Sequence, residues 1–584
     1  MQIHLHQTHH DIADFHGIFN TFKFKLNGIA ENHGIHLFPE LFLTGYPLAD
    51  LVVQRPFIDS YLKFLKQIDA WSTSLDPNPN INALIGGLDY HFDDQNLPEK
   101  VRNVAFHFTP GVPLKVVYTK ILLPNYDIFD EEKYFTPGDT PSILELNGLR
   151  IGLLICEDMW VSSHHSVDPV QQLQNLIQST NPVDLVVNLS GSPFHLGKES
   201  KRHSRGKEIS SLLQAPFFYV NRVGGEDEVL FDGGSFAVNS KDLIYKGNLF
   251  HEDSKRLVIP DFLGITENKE IKNQENTWED LFKANLNRNT TPVTLNTLLD
   301  EDMEVLLHGL AFGLQEYARK CGFNKFLVAL SGGIDSTLAL TIAKLALKPG
   351  QEIEAIYMPS IFSASISYEL SKALCENLQI PLKSLPIKFF HSSIKHAFSD
   401  NIGSDLEGLA DENIQSRLRA ALLYARSNQS GAMTLNTSNK SEIAVGYSTL
   451  YGDSVGAISI LGDLYKTEIF ELCRFINKKF ENIIPEGIIT REPSAELREN
   501  QTDSQSLPTY ERLDAMLEGI LSYRLSLKEL HELGFTKKEI NKVYGLYTKS
   551  EYKRRQFCPI IKVRAKSFGF GYRVPICKSK FVNY

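Results

Sequence analysis

The chain opens on an alternation, Met1-Gln2-Ile3-His4-Leu5-His6, with apolar side chains at every second position. A period of two predicts a half-buried strand. Short apolar runs at 35–38, 83–86, 104–108, 151–156, 185–188 and 217–221 predict further strands. Turn signals such as Thr109-Pro110-Gly111 and Thr136-Pro137-Gly138 separate them. From 266 to 294 the pattern fades into polar sequence, and a linker is expected there. A second alternation of strands and helices begins near Leu298. The polar stretch 490–507 is expected to be a mobile loop. The tail from 549 to 584, with Lys553-Arg554-Arg555, is expected to close over an anionic substrate. The pattern predicts two α/β domains, 1–265 and 295–584, joined by the linker 266–294. A chain of 584 residues also exceeds what one core normally organises.

Composition narrows the function classes. Hydrophobic content of 42% and charged content of 22% are those of a globular protein, and no apolar run is long enough to span a membrane. A net charge of −10 and a pI of about 6.0 argue against a nucleic-acid partner. The six cysteines are scattered without a C-x-x-C pair, which suits a cytoplasmic protein rather than a disulfide or structural zinc framework. Histidines crowd the first forty residues, and His4 and His6 share a strand face. No cysteine or carboxylate cluster accompanies them, so surface or satisfied core histidines are expected.

Chemistry concentrates in two places. In the second half, Ser331-Gly332-Gly333-Ile334-Asp335-Ser336 follows the apolar run 326–330 and precedes a helical pattern at 337–347. A strand, a glycine-rich turn and a helix N-terminus together form an anion site. No lysine stands at the helix start as the Walker pattern requires. In the first half, Glu40, Lys120 and Cys156 each end a strand-like run. A cysteine can act as nucleophile once it is a thiolate, and a nearby ammonium is expected to lower its pKa. A carboxylate can take its proton and later activate water, while the ammonium stabilises an oxyanion. The three suffice for amide hydrolysis through a thioester.

Phe38-Pro39-Glu40, the block ending at Lys120, and Ile155-Cys156-Glu157-Asp158-Met159-Trp160 resemble the three signatures of the nitrilase, or carbon–nitrogen hydrolase, family in order and spacing. The likeness covers about residues 1–260 and implies an α-β-β-α sandwich. It also implies a glutamine pocket walled by Tyr126 and Phe129, with Glu131 as an accessory carboxylate. Ser192 and Lys198 would hold the amino-acid end of L-glutamine, with Ser190 as the alternative serine. The loop 331–336 resembles that of the ATP pyrophosphatases, which implies a doubly wound parallel sheet.

Further blocks at 412–419, 437–447, 451–453, 462–468 and 493–497 resemble the NAD synthetases, in their glutamine-dependent branch. That resemblance implies ATP as co-substrate, cradled by Ala329, Leu330, Ser331, Gly332, Gly333, Ile334, Asp335 and Ser336 and touched by Thr437 and Lys466. It implies Mg²⁺ on Asp335 and Glu442, deamido-NAD on Asn413, Glu442 and Lys553, and a homo-oligomer. Arg417 and Arg419 fit a solvated helix face as well as a catalytic role. Three other readings share parts of the pattern: a different glutamine amidotransferase of the ATP class, a tRNA-modifying ATP pyrophosphatase, and a nucleotide sensor without catalysis.

Overall fold

The computed structural model describes residues 1–26, 33–160, 166–259, 283, 285–287, 293–499 and 501–578. The chain divides into two compact units, Met1–Asn273 and Gln274–Tyr584. Most of the 266–294 stretch lies outside the described residues. Its described part includes a short antiparallel ladder between Leu286–Asn287 and Thr294–Leu295, with Leu286 buried.

The first unit is built on two six-stranded sheets. One runs in the order Asp253–Val258, Gln2–Gln7, Gly34–Leu37, Ile81–Phe92, Pro98–Thr109, Val112–Thr119. The other runs Leu243–Lys246, Phe236–Val238, Phe217–Asn221, Leu185–Ser190, Leu149–Ile155, Ser142–Leu146. Each has a parallel centre and antiparallel edges. Strand alternation sends successive residues into different cores. Leu5, Leu37, Leu153 and Val187 meet in one cluster shared by the two sheets. Val186 and Phe217 instead pack with Leu173 and Ile209 of the helices Pro169–Ser179 and Lys198–Leu213. Ala83, Ile85 and Phe106 pack with Phe22, Phe64 and Ile68 of the helices Phe15–Leu26 and Arg55–Ser74. The result is the α-β-β-α sandwich.

The second unit carries a five-stranded parallel sheet. Its order is Leu382–Ser384, Glu352–Tyr357, Lys325–Ala329, Met433–Asn436, Ile458–Ser459. The chain winds outward in one direction and then in the other from Lys325–Ala329. Ligands of doubly wound sheets bind at the carboxyl ends of the strands where that order reverses. Helix Gly408–Ser430 covers one face by packing Leu423 on Leu327 and Ile356. The oppositely directed Phe326 and Val328 are buried as well, on the side of helix Ile334–Ala346. Beside the sheet, helices Lys440–Val445, Tyr510–Leu521 and Lys537–Lys549 share a core around Leu513, Met516 and Val543. Among the described residues no helix is long and apolar enough to cross a membrane.

The N-terminal strand Gln2–Gln7 and its neighbour Gly34–Leu37 hide three histidines. His4, His6 and His36 are all buried. The rings of His4 and His36 stack at 4.3 Å, those of His6 and His36 at 5.2 Å, and His6 Nε2 meets His36 Nδ1 at 2.9 Å. Burial pushes His4 down to about 4, reinforced by His36 and Arg256. Burial likewise holds His6 well below the usual value, with His36 and Lys25 adding to the effect. These groups are neutral in the folded protein, whereas an unfolded histidine titrates near 6.5. Below that pH the unfolded chain binds more protons, so the stability contribution present above pH 6.5 is lost as pH falls through about 4. The melting temperature of the full chain is expected to fall over this window. His4→Phe, which keeps a ring on His36 and removes one titration, is expected to flatten the slope. An unchanged slope in thermal melts from pH 7.5 to 4 would remove the stack from that role.

Candidate active sites

In the first unit, three loops at the carboxyl ends of strands deliver the hydrolase residues. Glu40 follows Gly34–Leu37, Lys120 follows Val112–Thr119, and Cys156 follows Leu149–Ile155. The Glu40 loop lies directly on Gly86 of the neighbouring strand, where a Cβ would stand 2.6 Å from Glu40 Cα. Only glycine permits that approach. Cys156 opens a 3₁₀ turn at φ 44°, a region non-glycine residues rarely adopt. Its N–H donates to Asn188 Oδ1 at 2.9 Å, which anchors the turn to the adjacent strand.

Lys120 Nζ lies 2.7 Å from Glu40 Oε1 and 2.8 Å from Glu131 Oε2, with all three side chains buried. Asn103 Nδ2 donates to Glu40 Oε1 at 2.8 Å, and the Gly191 N–H donates to Oε2 at 2.8 Å. Tyr46 donates to Glu131 at 2.7 Å. Asp158 binds the loops together: it accepts from the N–H groups of Ile121, Leu122 and Ile155 and from the Tyr118 hydroxyl. Asn103 lies outside any legible motif, because an isolated asparagine in a strand carries no spacing signal.

The electrostatics differ from the expected thiolate. Burial, with Glu40 next, pushes the Cys156 thiol well up, and Lys120 only partly opposes them. Burial works against the Lys120 ammonium, but Glu131 and Glu40 outweigh it and hold its pKa above the usual lysine value. Burial, against the pull of Lys120, pushes Glu131 up to about 7. These surroundings favour the thiol form of Cys156, because its burial and its acidic neighbours outweigh the one cation.

Around this centre, the half-exposed Tyr126 donates to Glu157 at 2.8 Å and packs edge-on against Phe129 at 5.7 Å. Ser190 donates its hydroxyl to Asn188 Oδ1 at 2.7 Å behind the cysteine turn. The Ser192 N–H donates to Asn221 Oδ1 at 2.8 Å. Lys198 donates to the Pro193 carbonyl at 3.0 Å, and burial with the nearby Arg202 pushes it down to about 8.

In the second unit, the loop after Lys325–Ala329 folds on itself. Ser336 Oγ accepts from the Ser331 N–H at 3.2 Å and donates to the Gly333 carbonyl at 3.1 Å. Gly332 has φ 81°, and a Cβ there would meet the Ser367 carbonyl oxygen at 2.5 Å. The loop forms one wall of a cleft of about 290 Å³ whose walls also include Thr437, Glu442 and Lys466. Lys466 Nζ lies 2.5 Å from Asp335 and 3.3 Å from Glu442, and Asn439 donates to Asp335 at 2.8 Å. Burial pushes Glu442 up to about 8; Lys466 pulls the other way and Asp335 adds to the rise. Two hard carboxyl groups beside a glycine-rich loop and a helix start fit a divalent cation such as Mg²⁺, whose charge would favour the ionised form of Glu442.

The other named residues divide. Asn413 and Lys553 are not on this wall. Asn413 accepts from the Thr449 hydroxyl at 2.6 Å, and Lys553 donates to the carbonyls of Gly446 and Ser448 at 2.7 and 2.6 Å. Arg419 lines the cleft, whereas Arg417 is exposed and donates to the Leu450 carbonyl. The stretch 490–507, expected to be a mobile loop, is tied down in its described residues: Glu496 accepts from Ser367 and Arg491 at 2.6 Å each, and Gln415 donates to the Leu497 carbonyl at 3.0 Å. Its polar residues edge the cleft and bond to one another, which is why its composition resembles a free loop. The described part of the basic tail is likewise docked, with Arg554 donating to the Ala444 carbonyl at 2.6 Å.

Residues 13–259 match the carbon–nitrogen hydrolase family model, and residues 306–557 match that of NAD synthase. A glutamine-dependent NAD(+) synthetase from Synechocystis is 37% identical, over 95% of this chain and 94% of its own. One from Thermotoga maritima is 34% identical, over 99% and 98%. The structure of a glutamine-dependent NAD+ synthetase from Acinetobacter baumannii in complex with ADP is similar, with a TM-score of 0.69 at 30% identity and 98% of each chain covered. With likeness of that extent over both units, the chain belongs to the glutamine-dependent NAD(+) synthetases.

Proposed function

We propose that the chain amidates deamido-NAD to NAD, using ammonia from glutamine hydrolysed in the first unit and ATP cleaved to AMP and pyrophosphate in the second. The observation that carries this is the pairing, on one chain, of the buried Glu40–Lys120–Cys156 cluster with the loop 331–336 and its Asp335–Lys466–Glu442 cluster.

In the first unit, Glu40 takes the thiol proton as Cys156 attacks the glutamine amide carbon. Proton transfer within the attack avoids a resting thiolate, which the surroundings disfavour. The Lys120 ammonium stabilises the developing oxyanion. Glu40 returns the proton to the leaving nitrogen, and ammonia departs to leave a thioester. Glu40 then deprotonates water, which releases glutamate and restores the thiol. Ser192 and Lys198 hold the amino-acid end of glutamine, and Tyr126 with Phe129 forms the side wall.

In the second unit, the N–H groups of 331–336 and the helix start receive the ATP phosphates, with Thr437 beside the nucleotide. The deamido-NAD carboxylate attacks the α-phosphorus, giving an acyl-adenylate and pyrophosphate, and ammonia then displaces AMP. Lys466 moves its charge from the carboxylates to the departing pyrophosphate. Asp335 and Glu442 would hold Mg²⁺, which when bound supplies neutralisation of phosphate charge. Asn413 and Lys553 place the loop 446–449 against deamido-NAD.

Mass detection of AMP, glutamate and NAD from ATP, glutamine and deamido-NAD tests the whole reading; absence of NAD would sink it. Cys156→Ala is expected to lose glutamine-supported synthesis by more than roughly 10³-fold while ammonium-supported synthesis stays within about twofold. Asp335→Asn is expected to reduce both rates in parallel, because adenylation precedes either amide-forming step. A wild-type ammonium rate in that variant would reject the phosphate-loop assignment. The Lys198 ammonium is present below about pH 8 and lost above it. The kcat/KM for glutamine is therefore expected to fall as pH rises through that value, and a Lys198→Arg variant, charged throughout, should keep its kcat/KM to higher pH.

A further inference from the structure

A guanidinium buried behind the glutamine side of the hydrolase centre has no part in the chemistry above. Arg202, in helix Lys198–Leu213, is 0% exposed. Its Nη1 lies 2.9 Å from both carboxylate oxygens of Asp232. Its Nη2 donates to the Ser192 carbonyl at 3.0 Å, the Ser192 hydroxyl at 3.2 Å and the Pro193 carbonyl at 3.1 Å. Asn221 completes the grip by accepting from the Ser192 N–H at 2.8 Å and donating to its carbonyl at 3.1 Å. Every polar group of Ser192 is thus held by Arg202 or Asn221.

The same guanidinium reaches Lys198. Positions 198 and 202 lie one helical turn apart on one face. The Lys198 ammonium donates to the Pro193 carbonyl at 3.0 Å, the same oxygen that Arg202 binds. Two cations converging on one carbonyl are placed by a framework, not by mutual attraction. Asp232 supplies the counter-charge for Arg202. A buried ion pair is a weak source of stability compared with apolar packing, so its best-attested use is to fix an arrangement. A planar fork can bind the carboxylate with one nitrogen and the serine with the other, which a lysine cannot do.

We propose that Arg202, braced by Asp232 and Asn221, is a positioning residue that fixes Ser192 and Lys198 as the receptor for the α-amino-acid end of glutamine, and so sets the preference for an amino-acid amide over a simple amide. This rests on the glutamine-hydrolysing assignment made above.

The test compares wild type with Arg202→Lys and with the isosteric Asp232→Asn, as full chains. For either variant the KM for glutamine is expected to rise on the order of tenfold, with kcat within about threefold. Hydrolysis of butyramide, which lacks the amino-acid end, and alkylation of Cys156 by iodoacetamide are expected to match wild type. Ammonium-supported synthesis reports the state of the second unit independently. A glutamine KM unchanged in a folded variant overturns the proposal. So does a parallel loss of glutamine hydrolysis, butyramide hydrolysis and alkylation, which would mark Arg202 as purely structural. If Arg202→Lys does not fold, Asp232→Asn decides by the same readouts. Failure of the wild type to hydrolyse glutamine would instead reject the underlying assignment.

Discussion

One ammonium set between two carboxylates recurs at the centre of each unit. Lys120 lies between Glu40 and Glu131, and Lys466 between Asp335 and Glu442. Removing such charges from water is costly unless each is paired, and here a single cation must serve two anions. The excess shows in the carboxylate less favourably placed: Glu131 is pushed up to about 7 and Glu442 to about 8, in each case chiefly by burial. The same imbalance serves different chemistry. The Glu40–Lys120–Glu131 cluster fits the proton transfers proposed for the first unit. In the Asp335–Lys466–Glu442 cluster, the two carboxyl groups fit the divalent cation proposed there, which when bound would free Lys466 for phosphate.

Those clusters depend on backbone that the sheets impose. Cys156 is held at a positive φ by Asn188 on one side and Asp158 on the other. Asp158 also gathers the loop after Lys120, so Cys156 and Lys120 share one support. In the other unit, Asp514 plays a comparable part: its carboxylate accepts from Ser441 and from the N–H and hydroxyl of Thr467, the neighbours of Glu442 and Lys466. Functional side chains at strand ends are thus spaced by buried polar groups one layer behind them.

What the sequence made legible follows from this division of labour. Period-two patterning and the Ser-Gly-Gly-x-Asp-Ser turn identify strands and the phosphate loop because local sterics alone demand them; Gly332 leaves no room for a side chain. The strand at 81–92 and its neighbour at 98–109 run well beyond their apolar cores, since their ends are polar and edge-like. Arg202, Asn103 and Asp514 were not legible, because their partners lie far away in sequence and only the fold brings them together. The loop 490–507 misled for the opposite reason. Polarity marks a surface, but the inner surface of a cleft is polar too.

The same electrostatics bear on how nitrogen would leave the proposed hydrolase site. Glu40 and Glu131 are buried together with a thiol that they hold protonated, and Glu157 adds to the negative surroundings. An ammonium ion formed there would be a second cation facing excess negative charge, and it would be retained. Neutral ammonia has no such hold and keeps the lone pair needed to attack an activated acyl group. In the proposed cycle the thiol proton leaves on the nitrogen, so the product formed is neutral ammonia and no second cation arises beside Lys120. Glu40 is left without that proton, ready to accept one from water as the thioester is hydrolysed.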